Sequence, residues 1–312
     1  MNIESPSKQY CSQISTKAGE PLPATATRTE VFLLLEYPGA WGEKAFEESN
    51  LPPAVKEYLA AQVDAIPASR ILLIRREGGQ VEPLHFFVAS ISEGGEELYD
   101  FRLEAYADLL NLDLTAIASG EMDNLAQRRF APLFLVCTHG RRDTCCARFG
   151  LPVYQALRQS LGDLVWQCSH VGGHRFAANL LFFPAGLAYG RLTPDSIERV
   201  ADASLQGNVD LDHYRGRLSY PPAAQAAEYT LRRHTGVTAL DAYRLFSVEE
   251  TEPGRWRARF LERSTRRTHQ LILLADRKNL QVYDSCRLDK PASVMEYTLV
   301  DYIVQDTAPR YI

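Results

Sequence analysis

Three cysteines fall within the first ten residues of the stretch CTHGRRDTCCARFG (137–150), and CSHVGGHR (168–175) adds a fourth cysteine and two histidines. Thiolates and imidazoles are borderline-soft ligands that suit zinc or iron–sulfur centres and suit magnesium or calcium poorly. Clustered thiols can also form a disulfide or act as nucleophiles. The two stretches therefore predict a metal or redox site.

The two histidines, His170 and His174, are four residues apart with Gly172 and Gly173 between them. On a helix this spacing would place both rings on one face. Paired glycines disfavour a helix, so we expect a loop in which the backbone can approach a bulky group. Two ordinary loop histidines are the alternative.

Eight residues separate Cys137 from Cys146. This loop is wider than the spacing of two to four usual for structural zinc, and it fits better around a two-iron cluster. It also carries Arg141 and Arg142, which could offset the charge of an anionic cluster. Cys145 offers a second choice with one residue fewer in the loop.

A Rieske-type ligand set is a further alternative, because CTH and CSH would recruit Cys137, His139, Cys168 and His170. Rieske proteins carry a histidine three residues after the second cysteine, where this chain has Val171. Rieske domains are also all-β, whereas this chain contains helical stretches. The Rieske set is therefore disfavoured.

The motifs CTHGRRDTCC, QCSHVGGHRFAANLL and PAGLAYGR resemble those of the sucrase/ferredoxin-like family, whose members include bis-histidinyl thioredoxin-like ferredoxins. The resemblance covers about residues 30–210 and is dense between 132 and 192. It implies a thioredoxin-like fold around a [2Fe–2S] cluster with Cys137, Cys146, His170 and His174 as ligands. The additional Cys145 and Cys168 leave the choice of thiols open.

Five residues near these motifs are candidates for supporting the cluster or ordering its loops: His139, Arg141, Arg142, Arg175 and Asn179. The resemblance implies electron transfer, or redox or pH sensing, with an unidentified partner protein. Two neutral imidazoles in place of thiolates leave the site less negative, which favours electron uptake and could couple it to a proton. We expect a non-catalytic carrier more than an enzyme. A zinc-stabilised interaction module and a thiol oxidoreductase using Cys145-Cys146 or Cys137 are the alternatives.

The elements that must position these residues occur in a repeated order. The first set comprises strands at 30–37, 70–76, 85–91 and 96–103 and helices at 52–66 and 106–120. The second comprises strands at 132–137 and 164–170, a hairpin at 178–192 and helices at 152–162 and 193–207. This order predicts two copies of one αβ unit, of which the second carries the ligands.

We predict a disordered arm (1–29), an N-terminal αβ unit without ligands (30–130), a thioredoxin-like [2Fe–2S] domain (131–210) and a small α+β domain (221–312). In the last we expect a helix at 221–236 and strands at 242–252, 255–263, 268–276 and 279–287. Cys11 and Cys286, outside the motifs, are expected to be plain thiols.

The bulk composition is that of a globular protein, with 46% hydrophobic and 23% charged residues among 312. A net charge of −5 and a pI near 5.9 argue against a nucleic-acid partner. The absence of an apolar run of roughly 18 residues argues against a membrane span. Six cysteines, four of them clustered, do not form a disulfide framework. We therefore expect a cytoplasmic protein.

Overall fold

The computed structural model describes residues 10–77, 83–92, 95–121, 125–287 and 291–306. Helices combine with a nine-stranded sheet and a four-stranded sheet, which confirms the predicted mixture of α/β and α+β architecture. Within the described ranges, no helix has the length and apolar character needed to cross a membrane.

The described chain starts with a short helix, α1 (Cys11–Lys17), so the predicted disorder of residues 1–29 is wrong for residues 10–29. Ser15 is buried and its hydroxyl donates to Glu20 Oε2 at 2.6 Å. Arg191 donates to Ser15 Oγ at 3.1 Å and to the Glu20 carbonyl at 2.7 Å. Polar contacts hold this segment, and they leave no hydrophobic periodicity that a sequence pattern could reveal.

The first αβ unit contains β1 (Val31–Glu36), α2 (Pro53–Ala65), β2 (Ser69–Arg75), β3 (Leu84–Ser90), β4 (Glu97–Leu103) and α3 (Leu114–Ser119). Strand β1 pairs in parallel with β2 and antiparallel with β3, which forms a hairpin with β4. All six residues of β1 are buried, as is typical of a central strand covered on both faces. The helix expected at 106–120 is split into a 3-10 helix (Tyr106–Asn111) and α3, which Asp113 caps.

The second unit contains β5 (Leu133–Cys137), α4 (Thr144–Leu161), β6 (Val165–Cys168), β7 (Leu180–Phe183), β8 (Leu187–Tyr189) and α5 (Pro194–Leu205). Strand β5 pairs in parallel with β6 and antiparallel with β7, and β7 forms a hairpin with β8. The first unit has the same pairing, which confirms the predicted repeat. This strand order, with a helix crossing between the parallel pair, is thioredoxin-like.

Helix α4 starts earlier than the predicted helix at 152–162. The Asp143 carboxylate accepts the Cys145 N–H at 2.9 Å and caps the helix. The helix therefore includes Cys145 and Cys146 in its first turn, and Pro152 lies inside it rather than at its start.

The two units share one sheet, in the order β4-β3-β1-β2-β6-β5-β7-β8-β9, with β9 (Tyr214–Arg217) at the edge. Strands β2 and β6 pair antiparallel at the centre, where Ile74 faces Cys168. The predicted domain boundaries stay a prediction. Hydrogen bonds between β2 and β6 join the sheets of the two units into one.

The C-terminal region contains α6 (Pro222–Thr235) and an antiparallel sheet of β10 (Tyr243–Glu252), β11 (Arg255–Glu262), β12 (Arg267–Lys278) and β13 (Val294–Asp306). One helix on a four-stranded sheet agrees with the predicted α+β unit. The strand predicted at 279–287 is wrong, and β13 completes the sheet instead. The N–H of Cys286 bonds to the Asp143 carboxylate at 2.9 Å, so this segment bonds to the second αβ unit.

A buried ionic group joins α6 to β9. Glu228 accepts from Arg217 Nε at 3.0 Å, from Arg232 Nη2 at 3.0 Å and from the Tyr214 hydroxyl at 2.8 Å. Glu228 and Arg232 are fully buried. The helix of the C-terminal region is thereby fixed to the edge of the nine-stranded sheet.

Candidate metal centre

The predicted ligands lie at the carboxyl ends of two central strands of the nine-stranded sheet. Strand β5 ends at Cys137 and β6 ends at Cys168, and the two residues are register partners in a parallel pair. The carboxyl ends of parallel strands meet at the same edge, where ligand sites commonly form. The loop after β6 carries His170 and His174 to this edge, and the first turn of α4 contributes Cys146.

Three of the four predicted ligands converge. One ligand atom from each of Cys137, Cys146 and His170 lies within 4.8 Å of the other two. Cys146 Sγ and His170 Nδ1 are 3.7 Å apart. Both thiols are 1% exposed. Two buried thiols and one half-buried imidazole therefore come together at one point.

His174 lies beside this group, with its ring centroid 5.1 Å from that of His170. His174 Nε2 is hydrogen-bonded to the backbone carbonyl of Asp284, so Nε2 is the donor and Nδ1 carries the lone pair. Nδ1 is buried and has no hydrogen-bond partner. Burial also lowers the pKa of His174, which favours the neutral ring that a metal requires.

The electrostatics of the site favour Cys137 as a thiolate. Hydrogen bonds from the thiols of Cys146 and Cys168 hold the pKa of Cys137 well below its usual value, and His170 acts in the same direction. The bond to Cys137 raises the pKa of Cys146, and burial raises the pKa of Cys168. Cys137 is thus the thiol most readily deprotonated for a metal.

The first turn of α4 separates the two candidate thiols of the Cys-Cys pair. Consecutive helical residues point about 100° apart. Cys146 faces Cys137, whereas Cys145 Sγ lies 3.4 Å from Cys11 Sγ and 3.2 Å from Cys286 Sγ. The geometry favours Cys146 over Cys145 as the partner of Cys137, and the ligand assignment itself stays a prediction.

His139 orders the loop instead of offering a ligand atom. Its Nε2 donates to the Gly42 carbonyl at 2.6 Å, and its Nδ1 accepts the backbone N–H of His170 at 3.2 Å. Both ring nitrogens are occupied, so the Rieske-type set with His139 does not fit. Burial lowers the pKa of His139, in keeping with a neutral ring.

Of the three arginines named from the sequence, Arg142 and Arg175 lie near carboxylates outside the candidate ligand set. Arg141 and Arg142 are exposed, and Arg142 lies 3.8 Å from a Glu43 carboxylate oxygen. Arg175 donates to Glu20 and Asp284 at 2.7 Å each. Arg175 therefore connects the N-terminal segment and the segment before Cys286 to the loop that carries His170 and His174, which we call the histidine loop.

Asn179 stabilises the histidine loop through two hydrogen bonds. Its Nδ2 donates to the Gly173 carbonyl at 3.0 Å, and its Oδ1 accepts from Arg215 Nη1 at 2.9 Å. Arg215 also donates to the Gly172 carbonyl at 3.2 Å. Gly173 has φ +67°, and a Cβ there would lie 2.4 Å from Arg215 Nη2. The glycine thus allows the close approach of Arg215. The approach of a bulky group to this loop, expected from the paired glycines, stays a prediction.

Sequence reasoning missed Arg215 and also Arg70, which donates to the carbonyls of His170 and Val171. Both arginines come from distant parts of the chain and donate hydrogen bonds to backbone carbonyls of the histidine loop. Arginine is mostly exposed in proteins, so no sequence signal separates these two from surface residues.

The donor set fits a [2Fe–2S] cluster. Two buried thiols and one imidazole converge, and the buried Nδ1 of His174 beside them lacks a partner. Two cysteines and two histidines hold such clusters in Rieske centres. Zinc accepts the same donors, so the donor types alone do not separate the two metals.

Fold and site define a duplicated thioredoxin-like protein with a buried cysteine–histidine site. The chain belongs to the sucrase/ferredoxin-like family, whose model it matches over residues 22–216, more than half of its length. The resemblance inferred from the motifs is therefore confirmed.

Curated relatives named altered inheritance of mitochondria protein 32 are 32% identical over 97 residues in Debaryomyces hansenii and 34% over 98 in Meyerozyma guilliermondii. Each match covers 28% of this chain and 36% or 35% of the relative, so the chain spans about a third of the length of these relatives. A thioredoxin-like [2Fe–2S] ferredoxin from Aquifex aeolicus is 17% identical, with a TM-score of 0.25 over 29% of this chain and 94% of that one. A cysteine-to-serine variant of such a ferredoxin from the same organism is 16% identical, with a TM-score of 0.24 over 26% and 93%.

Proposed function

We propose that the protein transfers electrons, or senses redox state or pH, through a [2Fe–2S] cluster held by Cys137, Cys146, His170 and His174. The observation that carries the proposal is the convergence of the first three residues next to the buried, unpartnered Nδ1 of His174. Membership of the sucrase/ferredoxin-like family supports it. When bound, such a cluster supplies a one-electron couple.

The chain's own groups prepare the ligands. Cys137 is the most acidic thiol of the site, and the Asp284 carbonyl fixes the tautomer of His174. A hydrogen bond to the outer ring nitrogen of a ligating histidine orients the ring and raises its basicity. Neutral imidazoles in two ligand positions favour a higher reduction potential than four thiolates.

The two histidines differ in their access to protons. The Nε2 proton of His174 is held by the Asp284 carbonyl. His170 turns Nδ1 toward Cys146 and lines a cleft of about 340 Å³ together with His139 and Arg142. We therefore assign proton exchange on reduction to Nε2 of His170.

Burial argues for a carrier over a thiol enzyme. Cys137, Cys146 and Cys168 are at most 1% exposed, whereas reactive cysteines are partially exposed. Electrons can cross a short protein layer where a bulky substrate cannot enter. The cleft beside His170 is a surface that a redox partner protein can approach, and a reducing compartment such as the cytoplasm is part of the proposal.

The test is the absorption spectrum of protein purified without oxygen, with iron and acid-labile sulfide counted. We expect bands between roughly 330 and 560 nm and about two irons and two sulfides per chain. A colourless protein with zinc in this site would support the interaction module instead. A colourless protein without metal after reconstitution would favour thiol chemistry and refute the proposal.

Two matched variants test the assignment of the proton. His170→Cys and His174→Cys each replace an imidazole by a thiolate and should keep the cluster at a lower potential. The wild-type potential should fall by about 59 mV per pH unit, the value for one proton per electron, between the pKa of the oxidised site and the higher pKa of the reduced site. His170→Cys should remove this slope and His174→Cys should keep it. The opposite pattern would move the proton to His174.

A further inference from the structure

A second group of thiols lies outside the predicted site. Cys11 on α1, Cys145 on α4 and Cys286 before β13 form what we call the three-thiol cluster. Their Sγ atoms are 3.4 Å (Cys11–Cys145), 3.2 Å (Cys145–Cys286) and 3.5 Å (Cys11–Cys286) apart. Cys11 and Cys286 are 275 residues apart in sequence. Three distant segments therefore bring thiols to one point.

Asp143 completes the group with a carboxylate that is fully buried. One ligand atom from each of Cys11, Asp143, Cys145 and Cys286 lies within 4.8 Å of all the others. Asp143 also accepts the N–H groups of Cys145 and Cys286 and the Ser285 hydroxyl at 2.9–3.0 Å. These donors orient the carboxylate and favour its ionised form.

The sulfur spacing decides between a disulfide and a metal. A disulfide holds two sulfurs about 2.05 Å apart and leaves the third thiol unused. Thiolates at 2.3 Å from a tetrahedral ion lie about 3.8 Å apart, in a triangle of equal sides. The three-thiol cluster is nearly equilateral and much closer to the second arrangement.

Hydrogen bonds to two of the three sulfurs also favour their thiolate form. The Ser12 hydroxyl donates to Cys145 Sγ at 3.4 Å, and the backbone N–H of Cys11 donates to Cys286 Sγ at 3.4 Å. Donors that point at ligating sulfurs stabilise their charged form. Buried cysteines packed as small hydrophobic residues would not need such donors.

We propose that Cys11, Cys145, Cys286 and Asp143 form a second metal centre that binds one zinc ion. Thiolates and a carboxylate are zinc ligands, and four protein ligands make a closed, structural site. The ion links α1 and the segment before β13 to the first turn of α4. Asp284 lies in the same segment as Cys286, and its carbonyl bonds to Nε2 of His174. The zinc ion therefore also keeps this carbonyl in place beside His174, a predicted ligand of the cluster. Zinc binding itself does not depend on the proposed function.

The test counts zinc and iron by mass spectrometry in the full chain after anaerobic purification. We expect about one zinc per chain in the wild type. Cys286→Ser and Cys11→Ser should lose this zinc. Cys137→Ser, which affects the first site, should lose iron and keep zinc, so failure of one site is distinguished from failure of the other.

Cobalt reconstitution and melting provide a second readout. In the Cys137→Ser chain, one cobalt per chain should give the intense visible bands of a tetrahedral thiolate complex, and adding Cys286→Ser should abolish them. A zinc chelator should lower the melting temperature of the Cys137→Ser chain and leave that of the double variant unchanged. Equal zinc content with and without Cys286, a wild type without zinc, or a disulfide within the three-thiol cluster would overturn the proposal.

Discussion

The contacts of Asn179 predict how strongly the histidine loop depends on one buried side chain. Asn179→Ala removes a neutral hydrogen bond to the Gly173 carbonyl and a charge-assisted one from Arg215. Gly173 keeps the N–H of Phe176 at 2.9 Å, and Arg215 keeps the Gly172 carbonyl at 3.2 Å. A neutral bond contributes about 0.5–1.5 kcal/mol and a charged one about 1.5–3 kcal/mol. Since neither partner is orphaned, we expect a loss of about 2–3 kcal/mol.

Urea unfolding followed by tryptophan fluorescence measures this loss. Asn50→Ala is the matched control, since Asn50 is exposed, and it should change stability by less than about 0.5 kcal/mol. Asn179→Asp keeps the acceptor for Arg215 but places a carboxylate oxygen, which cannot donate, against the Gly173 carbonyl, so it should also lower stability. Iron release to a chelator should be faster in both Asn179 variants, by about 10–100-fold. Asn179→Ala with the stability and iron release of the control would refute this account of the loop.

Two further predictions concern packing and pH. A Cβ at Gly150 would lie 2.1 Å from the Cys137 carbonyl oxygen, so Gly150→Ala should lower the melting temperature and the iron content. Gly95→Ala is the control: the atom nearest to a Cβ there would be 3.6 Å away, so neither quantity should change. Glu228→Gln leaves two buried arginines uncompensated and should cost about 3–5 kcal/mol in urea unfolding, against at most about 1 kcal/mol for the exposed Asp306→Asn. Burial alone would raise the pKa of Glu228, but its arginine partners lower it below the usual 4.5. Its stabilisation is therefore present above pH 4.5 and lost as the pH falls through the folded value, and Glu228→Gln should remove this part of the acid sensitivity.

The αβ repeat could be predicted from the sequence because its signal is local. Strand β5 is apolar throughout and β1 is apolar except for its last residue, Glu36; each precedes a helix, and each is completely buried. Such runs are typical of central strands whatever the rest of the chain does. The motif around Cys137 and the histidine loop are likewise short, local stretches, and both lie within the residues that the family model matches.

The three-thiol cluster could not be predicted because its members are joined only by the tertiary fold. Cys11 lies in a polar segment that resembles a disordered arm, and Cys286 lies in one that resembles a strand. The strand prediction failed because backbone groups of that segment bond to Asp143 and His174 instead of to a neighbouring strand. Hydrophobic periodicity carries no information about such contacts.

The first turn of α4 connects the two candidate centres. Cys145 and Cys146 are adjacent, but their side chains diverge by about 100°, so Cys145 belongs to the three-thiol cluster and Cys146 faces Cys137. Asp143 caps this turn and also binds the segment before β13. A displacement of that segment would remove the Asp284 carbonyl from His174 and loosen the cap beside both cysteines. The two candidate centres are therefore connected through the first turn of α4, which Asp143 caps, and through the bond between the Asp284 carbonyl and His174.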